Sequence, residues 1–119
     1  MPRILSVAMA GNPNTGKTTL FNALTGARQH VGNYAGVTVT ASEGICVEGG
    51  AELRVADLPG TYSLSGRAED ERAARRHLLK EKPDVVVNVI EATNLERNLQ
   101  LTVALQELGV RLVLALNMS

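Results

Sequence analysis

An anion-binding loop is predicted at residues 11–18, which read G-N-P-N-T-G-K-T and fit the pattern G-x-x-x-x-G-K-S/T without a mismatch. Glycine at each end of the loop permits backbone conformations in which successive N–H groups turn inward around an anion. Lys17 is placed to reach the β- and γ-phosphates of a nucleotide, and the Thr18 hydroxyl to bind a magnesium ion that bridges them. The motif predicts a nucleoside triphosphate site, but it does not by itself separate GTPases from ATPases or small-molecule kinases.

A second polar motif, D-L-P-G at residues 57–60, follows a short strand-like run. Ligands of open α/β sheets bind at the carboxyl ends of strands, so we expect Asp57 to share the site of the anion-binding loop. Asp57 would hold the magnesium ion, directly or through water, and the Gly60 N–H would meet the γ-phosphate. A type I or II turn built on proline and glycine is the alternative explanation of these four residues.

The elements around the anion-binding loop are predicted in the order strand, loop, helix. Residues 3–10 form an apolar run that is typical of a strand buried on both faces. The helix after the loop is expected to run to about Thr25 and to stop at Gly26. Residues 27–36 are polar and have neither helical nor strand period, which predicts a functional or mobile loop.

The rest of the chain continues to alternate between strands and helices. Residues 37–47 and 53–56 predict a hairpin of two strands. The remaining predictions are a helix over residues 67–80, a strand over 85–90, a helix from the capping-box sequence at 93–96 to Leu108, and a strand over 111–116. Acidic residues near the start of the 67–80 helix, Asp70 among them, complement the helix dipole and are explained as structural. This order predicts an α/β fold with a mostly parallel sheet, helices on both faces and one antiparallel hairpin edge.

The composition limits the classes of function. The chain has 119 residues, which allows one domain at most and is short for a complete nucleotide-binding α/β domain. With 12 basic and 12 acidic residues, one Phe, two Tyr and no Trp, neither charge nor base stacking favours a nucleic-acid partner. No apolar run approaches the length of about 20 residues that spans a bilayer, so we expect the chain to be soluble. His30 and Cys46 stand singly in the sequence and predict no iron site.

Four stretches resemble a translation-factor-type GTPase, and more narrowly the amino-terminal G domain of the bacterial ferrous iron transport protein B family. They are the anion-binding loop with its helix (11–24), H-V-G-N-Y-A-G-V-T-V (30–39), D-L-P-G-T-Y-S-L (57–64) and N-V-I-E-A-T-N-L-E-R-N-L (88–99). The first and third stretches fit many GTPases, whereas the second and fourth are more specific. The resemblance implies a P-loop NTPase with a Ras-like G domain that binds GTP or GDP with Mg²⁺, and K⁺ as a further ion.

The resemblance also implies roles for single residues. Thr38 would be the switch I threonine that meets magnesium and the γ-phosphate, and Asp57 and Gly60 would belong to switch II. Asn14 resembles the asparagine that helps hold potassium beside the phosphates, and the alternative is a loop asparagine that stabilises its own turn. The implied metal ligands are Thr18, Thr38 and Asp57 for magnesium and Asn14 for potassium. The implied catalytic residues are Lys17, Thr38, Gly60 and Thr61. The implied nucleotide-binding residues are Gly11, Asn12, Pro13, Asn14, Thr15, Gly16, Lys17, Thr18, Thr19, Gly36, Val37, Thr38, Asp57, Gly60, Asn117 and Met118.

The sequence departs from the family pattern at two places. The residue after D-x-x-G, often a glutamine that orients water, is Thr61, so Thr61, a switch backbone group or a neighbour must take this role, and slow turnover is expected. The guanine-reading motif N-K/M-x-D starts at Asn117 and Met118, and the chain ends before the aspartate. We therefore expect residues 1–119 to be a partial G domain that lacks the last strand and helix, with a final apolar strand whose exposed edge permits self-association.

The interpretation that fits best is a GTP-binding and slowly GTP-hydrolysing switch domain of a bacterial ferrous iron transporter. Its expected partners are the helical regulatory and transmembrane permease domains of the parent protein, at the cytoplasmic face of the inner membrane, and no nucleic acid. Two alternatives stay open: a soluble GTPase of ribosome assembly or tRNA modification, and a truncated fragment that self-associates without catalysis.

Overall fold

A six-stranded mixed sheet is the centre of the protein in a computed structural model that describes residues 3–34 and 39–118. The elements in chain order are β1 (Arg3–Gly11), α1 (Lys17–Thr25), β2 (Gln29–Asn33), β3 (Thr40–Glu48), β4 (Ala51–Asp57), α2 (Glu69–Glu81), β5 (Val85–Glu91), a short 3₁₀ helix (Ala92–Asn94), α3 (Leu95–Glu107) and β6 (Leu112–Asn117). The strands lie in the order β2-β3-β4-β1-β5-β6. β4, β1, β5 and β6 are parallel, and β3 is antiparallel to both of its neighbours, so the predicted fold class is confirmed.

The register of the central strands brings the two predicted motifs to the same end of the sheet, where the parallel strands have their carboxyl ends. β1 pairs in parallel with β4, and this pairing sets Met9 beside Asp57. On its other side β1 pairs with β5, which sets Gly11 beside Val89. The anion-binding loop and Asp57 therefore leave the sheet at the carboxyl ends of adjacent parallel strands, where open α/β sheets bind their ligands.

Helices cover both faces of the sheet, as predicted. On one face, the α1 side chain Phe21 is 1% exposed and packs in a cluster with Met9 and Val55. On the other face, Leu78 of α2 and Leu101 of α3 belong to a second cluster. Full burial of side chains of this size stabilises a fold by about 1.5–3 kcal/mol each, so both layers hold the central strands, and the loops that leave them, in place.

Two local predictions are wrong. Residues 29–33, within a segment predicted as a loop, form the edge strand β2, antiparallel to β3. The predicted capping box does not form, because the Thr93 hydroxyl donates to Glu91 Oε1 at 2.6 Å and Asn94, the cap residue of α3, makes no side-chain cap hydrogen bond. In both cases the backbone or side chain takes a partner that periodicity and spacing do not reveal.

No helix in the described part of the chain is both long and apolar enough to cross a lipid bilayer.

Candidate functional site

The loop between β1 and α1 has the geometry of an anion cradle. Gly16 precedes α1 with φ +88°, a left-handed conformation that favours glycine, and Lys17 is the first residue of the helix. At the other end of the loop, a Cβ on Gly11 would lie 2.9 Å from the Val89 carbonyl oxygen, so only glycine fits beside β5. The Thr15 hydroxyl donates to the Asn12 carbonyl at 3.0 Å and closes the loop internally. The backbone N–H groups near Gly16 and the start of α1 thus provide positive potential for an anion.

Three predicted site residues meet beside this loop. Lys17 Nζ donates to Asp57 Oδ1, and the two side chains are 7% and 9% exposed. The Thr18 hydroxyl donates to the other carboxylate oxygen, Oδ2, at 3.2 Å. A hydroxyl and a carboxylate are the hard oxygen donors that Mg²⁺ prefers, so this pair fits the ion that the sequence predicts. The structure brings the lysine, the threonine and the aspartate together from two separate elements.

The second motif lies directly against the loop. The Thr61 N–H donates to the Gly11 carbonyl at 3.0 Å, and the Leu58 N–H donates to the Met9 carbonyl at the same distance. A Cβ on Gly60 would lie 3.0 Å from Pro13 Cα, so a side chain at Gly60 would push the two segments apart. These contacts fix the start of the second motif over the anion-binding loop.

Two adjacent clefts share the loop as a common wall. The smaller, here called the phosphate cleft, has a volume of about 410 Å³ and is lined by Lys17, Thr18 and Gly60 among others. The larger, here called the nucleoside cleft, has a volume of about 780 Å³ and is lined by Leu20 and Asn117 among others. Three residues line both clefts: Asn14, Gly16 and Thr19. A charged cleft that continues into a larger, more apolar one matches the phosphate and nucleoside parts of a nucleotide.

Asn117 supports the loop from the end of β6. Its Nδ2 donates to the Thr15 carbonyl at 2.9 Å, and a Cβ on Gly16 would lie only 2.6 Å from the same nitrogen. Met118, the next predicted residue, is 73% exposed. The structure therefore connects Asn117 to the anion-binding loop, a contact that sequence spacing alone does not show.

Asn14 is an exposed loop residue with φ +66°, and it lines both clefts. Asparagine tolerates the left-handed conformation better than other non-glycine residues, so the backbone geometry by itself explains an asparagine here. Its predicted role as a potassium ligand stays a prediction.

Three predicted site residues, Gly36, Val37 and Thr38, lie outside the described residues. The segment before them ends at Tyr34, whose N–H donates to the Val39 carbonyl at 3.0 Å. Burial, followed by the negative charges of Asp57 and Glu43, raises the pKa of Tyr34 to about 12, so its hydroxyl is neutral at physiological pH. The Tyr34 ring meets His77 of α2 edge-on, with ring centroids 6.0 Å apart. Burial lowers the pKa of His77, an effect that the charges of Glu81 and Glu43 oppose.

Sequence reasoning missed one residue of the described lining of the phosphate cleft. Asp70, explained above as a dipole-complementing charge of α2, lines the phosphate cleft. Its neighbour Glu71 does have a structural role, because its Oε1 accepts hydrogen bonds from the Ser63 hydroxyl at 2.7 Å and from the Gly66 N–H at 2.8 Å. Only the path of the chain after Gly60 places Asp70 at the cleft, and no local sequence signal marks it.

A separate cavity of about 680 Å³ lies between the β2–β3 edge and α2 and is lined by His30, Glu43, His77 and Glu81 among others. It contains neither the anion-binding loop nor Asp57. Over residues 3–34 and 39–118, no group of three or more His, Cys, Asp or Glu side chains is arranged to hold a metal ion. This cavity is therefore separate from the contact of Lys17 and Thr18 with Asp57.

Comparisons with known proteins agree with this geometry. Residues 5–119 match the family described as ferrous iron transport protein B. The Fe(2+) transporter FeoB of Salmonella typhimurium is 52% identical over 118 residues, which cover 96% of this chain and 15% of that protein. The Fe(2+) transporter FeoB of Methanocaldococcus jannaschii is 53% identical over 103 residues, which cover 87% of this chain and 15% of that protein. The chain thus spans about 15% of the length of these relatives.

Solved structures of related proteins have the same fold. The G domain of the T. maritima FeoB iron transporter is similar with a TM-score of 0.92 at 45% identity, covering 96% of this chain and 72% of that one. A GDP-bound mutant of the S. thermophilus FeoB G domain is similar with a TM-score of 0.90 at 48% identity, covering 96% of this chain and 44% of that one.

Proposed function

We propose that this chain, which belongs to the ferrous iron transport protein B family as its amino-terminal G domain, binds GTP and GDP and hydrolyses GTP slowly. The observation that carries the proposal is the contact of Lys17 and Thr18 with Asp57 beside a cleft that continues into a second, larger one. The GDP bound to the S. thermophilus relative supports the same class of ligand.

The groups that line the phosphate cleft are proposed to have different roles in nucleotide binding. The backbone N–H groups of the loop and the start of α1 hold the phosphates, and the Lys17 ammonium neutralises charge on the β- and γ-phosphates. Thr18 and Asp57 would hold Mg²⁺, which supplies positive charge to the phosphates during transfer. The Gly60 N–H donates to the γ-phosphate. Because Lys17 and Asp57 contact each other here, nucleotide and magnesium must give each of them a new partner.

The nucleoside end is proposed to select guanine through the segment that Asn117 begins. Its contact with the Thr15 carbonyl couples that segment to the phosphate loop, so base and phosphate binding support each other. Asn14, which lines both clefts, is proposed to bind K⁺ beside the phosphates. A cation at that position would offset charge that develops during phosphoryl transfer.

The transport context is also a proposal. Because the chain spans about 15% of related Fe(2+) transporters, we place it as the nucleotide-dependent switch of a longer protein. Residues 1–119 are proposed as part of a G domain that works with helical regulatory and transmembrane permease domains, at the cytoplasmic face of the inner membrane. Neither the charge balance nor the aromatic content of the sequence favours a nucleic-acid partner. The similarity to Fe(2+) transporters favours a transport function over a function in ribosome assembly or tRNA modification.

Titration with a fluorescent GTP analogue in magnesium buffer tests this function. Charge-assisted hydrogen bonds contribute about 1.5–3 kcal/mol, so Lys17→Ala is expected to weaken binding about 10- to 100-fold. For Thr18→Ala, we expect magnesium to raise the affinity for the GTP analogue much less than it does for the parent. Lys80→Ala, which removes an exposed lysine of α2, is the matched control and should bind as the parent does. Parent-like affinity in folded Lys17→Ala would disprove the assignment of the phosphate cleft.

A further inference from the structure

The side chain of Asn12 is buried without a hydrogen-bond partner. Asn12 is 3% exposed, and neither Oδ1 nor Nδ2 has a partner within the described part of the chain. Other buried polar side chains of the loop are satisfied, since Thr15 donates to the Asn12 carbonyl and Lys17 donates to Asp57. Buried amides in folded proteins are normally hydrogen-bonded, and an unpaired one costs free energy. A ligand that forms hydrogen bonds with Oδ1 and Nδ2 would remove this cost.

Asn12 lies where the second motif covers the anion-binding loop. The Thr61 N–H bonds to the carbonyl of Gly11, the residue before Asn12, and Gly60 packs on Pro13, the residue after it. Asn12 also lines the phosphate cleft together with Gly60. In the proposed function Gly60 meets the γ-phosphate, so Asn12 lies at the γ-phosphate end of the cleft.

We propose that Asn12 is a catalytic residue whose carboxamide orients the attacking water against the γ-phosphate of GTP, an inference that rests on the proposed function. A carboxamide carries an acceptor and a donor on one carbon atom. Oδ1 accepts a hydrogen bond from the water, and Nδ2 donates one to a γ-phosphate oxygen. These are the contacts that orient water in GTP hydrolysis. Thr61, at the position after D-x-x-G, carries its donor and its acceptor on one oxygen atom, whereas the carboxamide places them on two atoms that reach the water and the phosphate separately.

The step needs no reagent beyond water. The water oxygen forms a bond to the γ-phosphorus while the bond from that phosphorus to the β–γ bridging oxygen breaks, and its electron pair leaves with GDP. One proton of the water passes to another oxygen of the released phosphate and the second stays on the attacking oxygen, so the products are GDP and dihydrogen phosphate. Asn12 neither gains nor loses a proton, so its contribution lies in orientation and in hydrogen bonding to the transition state.

Separate measurements of binding and hydrolysis test this inference. The 119-residue chain and its Asn12→Ala variant are titrated with a fluorescent non-hydrolysable GTP analogue, and single-turnover phosphate release from GTP is then followed in magnesium buffer. We expect Asn12→Ala to hydrolyse GTP about 10- to 100-fold more slowly than the parent and to lose clearly less in affinity than in rate. Its melting temperature should equal or exceed that of the parent, because the substitution removes an unpaired buried amide.

Two further variants complete the design. Asn12→Asp keeps the shape and the acceptor but removes the donor, so slow hydrolysis is expected there too, with weaker binding because a negative charge faces the phosphates. Asn94→Ala, which changes an exposed asparagine at the start of α3, should bind and hydrolyse as the parent does.

The outcomes separate this inference from the proposed function. A folded Asn12→Ala that hydrolyses GTP at the parent's rate, or that loses affinity by the same factor as rate, would overturn the catalytic role alone. Unfolding of both Asn12 variants would show a structural role and overturn it as well. Binding without hydrolysis in the parent would overturn the catalytic role and leave nucleotide binding intact. Failure of the parent to bind GTP would overturn the proposed function and this inference together.

Discussion

Lys17 matters to the nucleotide-free protein as well as to the proposed complex. Its side chain is 7% exposed and contacts the Asp57 carboxylate, so a buried cation and a buried anion satisfy each other. Removal of one member of such a pair is costly because the other charge stays buried and uncompensated. In the proposed complex, phosphate and magnesium would replace both partners together, so we expect magnesium binding and nucleotide binding to be interdependent.

Gly16→Ala is expected to weaken both folding and nucleotide binding. The residue has φ +88°, and left-handed strain costs an L-residue about 1–2 kcal/mol. The new Cβ would also lie 2.6 Å from Asn117 Nδ2, which bonds to the Thr15 carbonyl. Loss of that hydrogen bond adds about 1 kcal/mol. Chemical denaturation and a GTP titration measure the two effects.

Gly50→Ala is the matched control for Gly16→Ala. Gly50 has φ +79° in the β3–β4 turn, and a Cβ there would have no atom within 4 Å. It should therefore lose only the stability that backbone strain costs and keep the parent's nucleotide affinity. Equal losses of stability in the two variants, with unchanged GTP affinity in both, would contradict the role given to the contact between Gly16 and Asn117.

The predictability of the site differs among its residues. Lys17 and Thr18 were predictable because the whole phosphate loop is one contiguous pattern, and Asp57 because it starts a second one. The burial of the Asn12 side chain and the position of Asp70 at the cleft depend on how the segment after Gly60 packs on the loop. That packing is a tertiary property that no local spacing encodes.

Among the elements, β2 shows why periodicity missed a strand. Its residues 29–33 are mostly exposed, and only Gly32 is half-buried, so the segment has no apolar face to give a strand signal. The strand exists because its backbone pairs with β3, setting His30 opposite Glu43. Edge strands are held by backbone pairing more than by side-chain burial, so their sequences are weakly constrained.

Stability is expected to fall on mild acidification because of His77 on α2. Burial lowers its pKa in the folded protein below the ordinary value of 6.5. Unfolded chains then bind a proton before folded ones do, so the stabilisation is complete above about pH 6.5 and is lost as the pH falls toward the folded pKa. Because His77 is only half-buried, we expect an effect of a few degrees in melting temperature between pH 7.5 and 5.5.

His77→Phe isolates this titration while it keeps an aromatic ring against Tyr34. The variant should show a smaller fall in melting temperature over the same pH interval. Asp84, whose pKa is lowered chiefly by its hydrogen bond to the Ser6 backbone, contributes only at more acidic pH and does not disturb the comparison. An identical pH dependence in parent and variant would show that His77 does not control stability in this range.

At the scale of the whole molecule, the layered α/β architecture followed from the order of elements, but the strand order did not. Parallel pairing of β1 with both β4 and β5 joins segments that are far apart in sequence, and the pairs Met9 with Asp57 and Gly11 with Val89 are set by packing. The gathering of the site at one end of the sheet could be inferred from general topology. The contact of Asn117 with Thr15 could not, because 102 residues separate them.

Concentration-dependent self-association is expected through β6, the outer strand of the sheet opposite β2. Its side chains Val113, Leu114 and Leu116 are 51–58% exposed, and an apolar edge strand offers a template for pairing with a second copy. Leu114→Lys should weaken association measured by analytical ultracentrifugation by at least about tenfold, because burial of one leucine side chain contributes about 1.5–3 kcal/mol. Leu79→Lys removes an equally exposed leucine from α2 and should change little. A monomer at all concentrations, or equal effects of both variants, would contradict a role for this edge.

The most direct test of the central claim is a competition titration of the 119-residue chain, in magnesium and potassium buffer, between a fluorescent GTP analogue and unlabelled GTP, GDP or ATP. We predict saturable binding that GTP and GDP displace at much lower concentration than ATP does, with weaker binding when magnesium is removed or sodium replaces potassium. Displacement by ATP at the same concentration as GTP would contradict guanine selectivity. Absence of saturable binding would contradict the assignment of the two clefts as a nucleotide site.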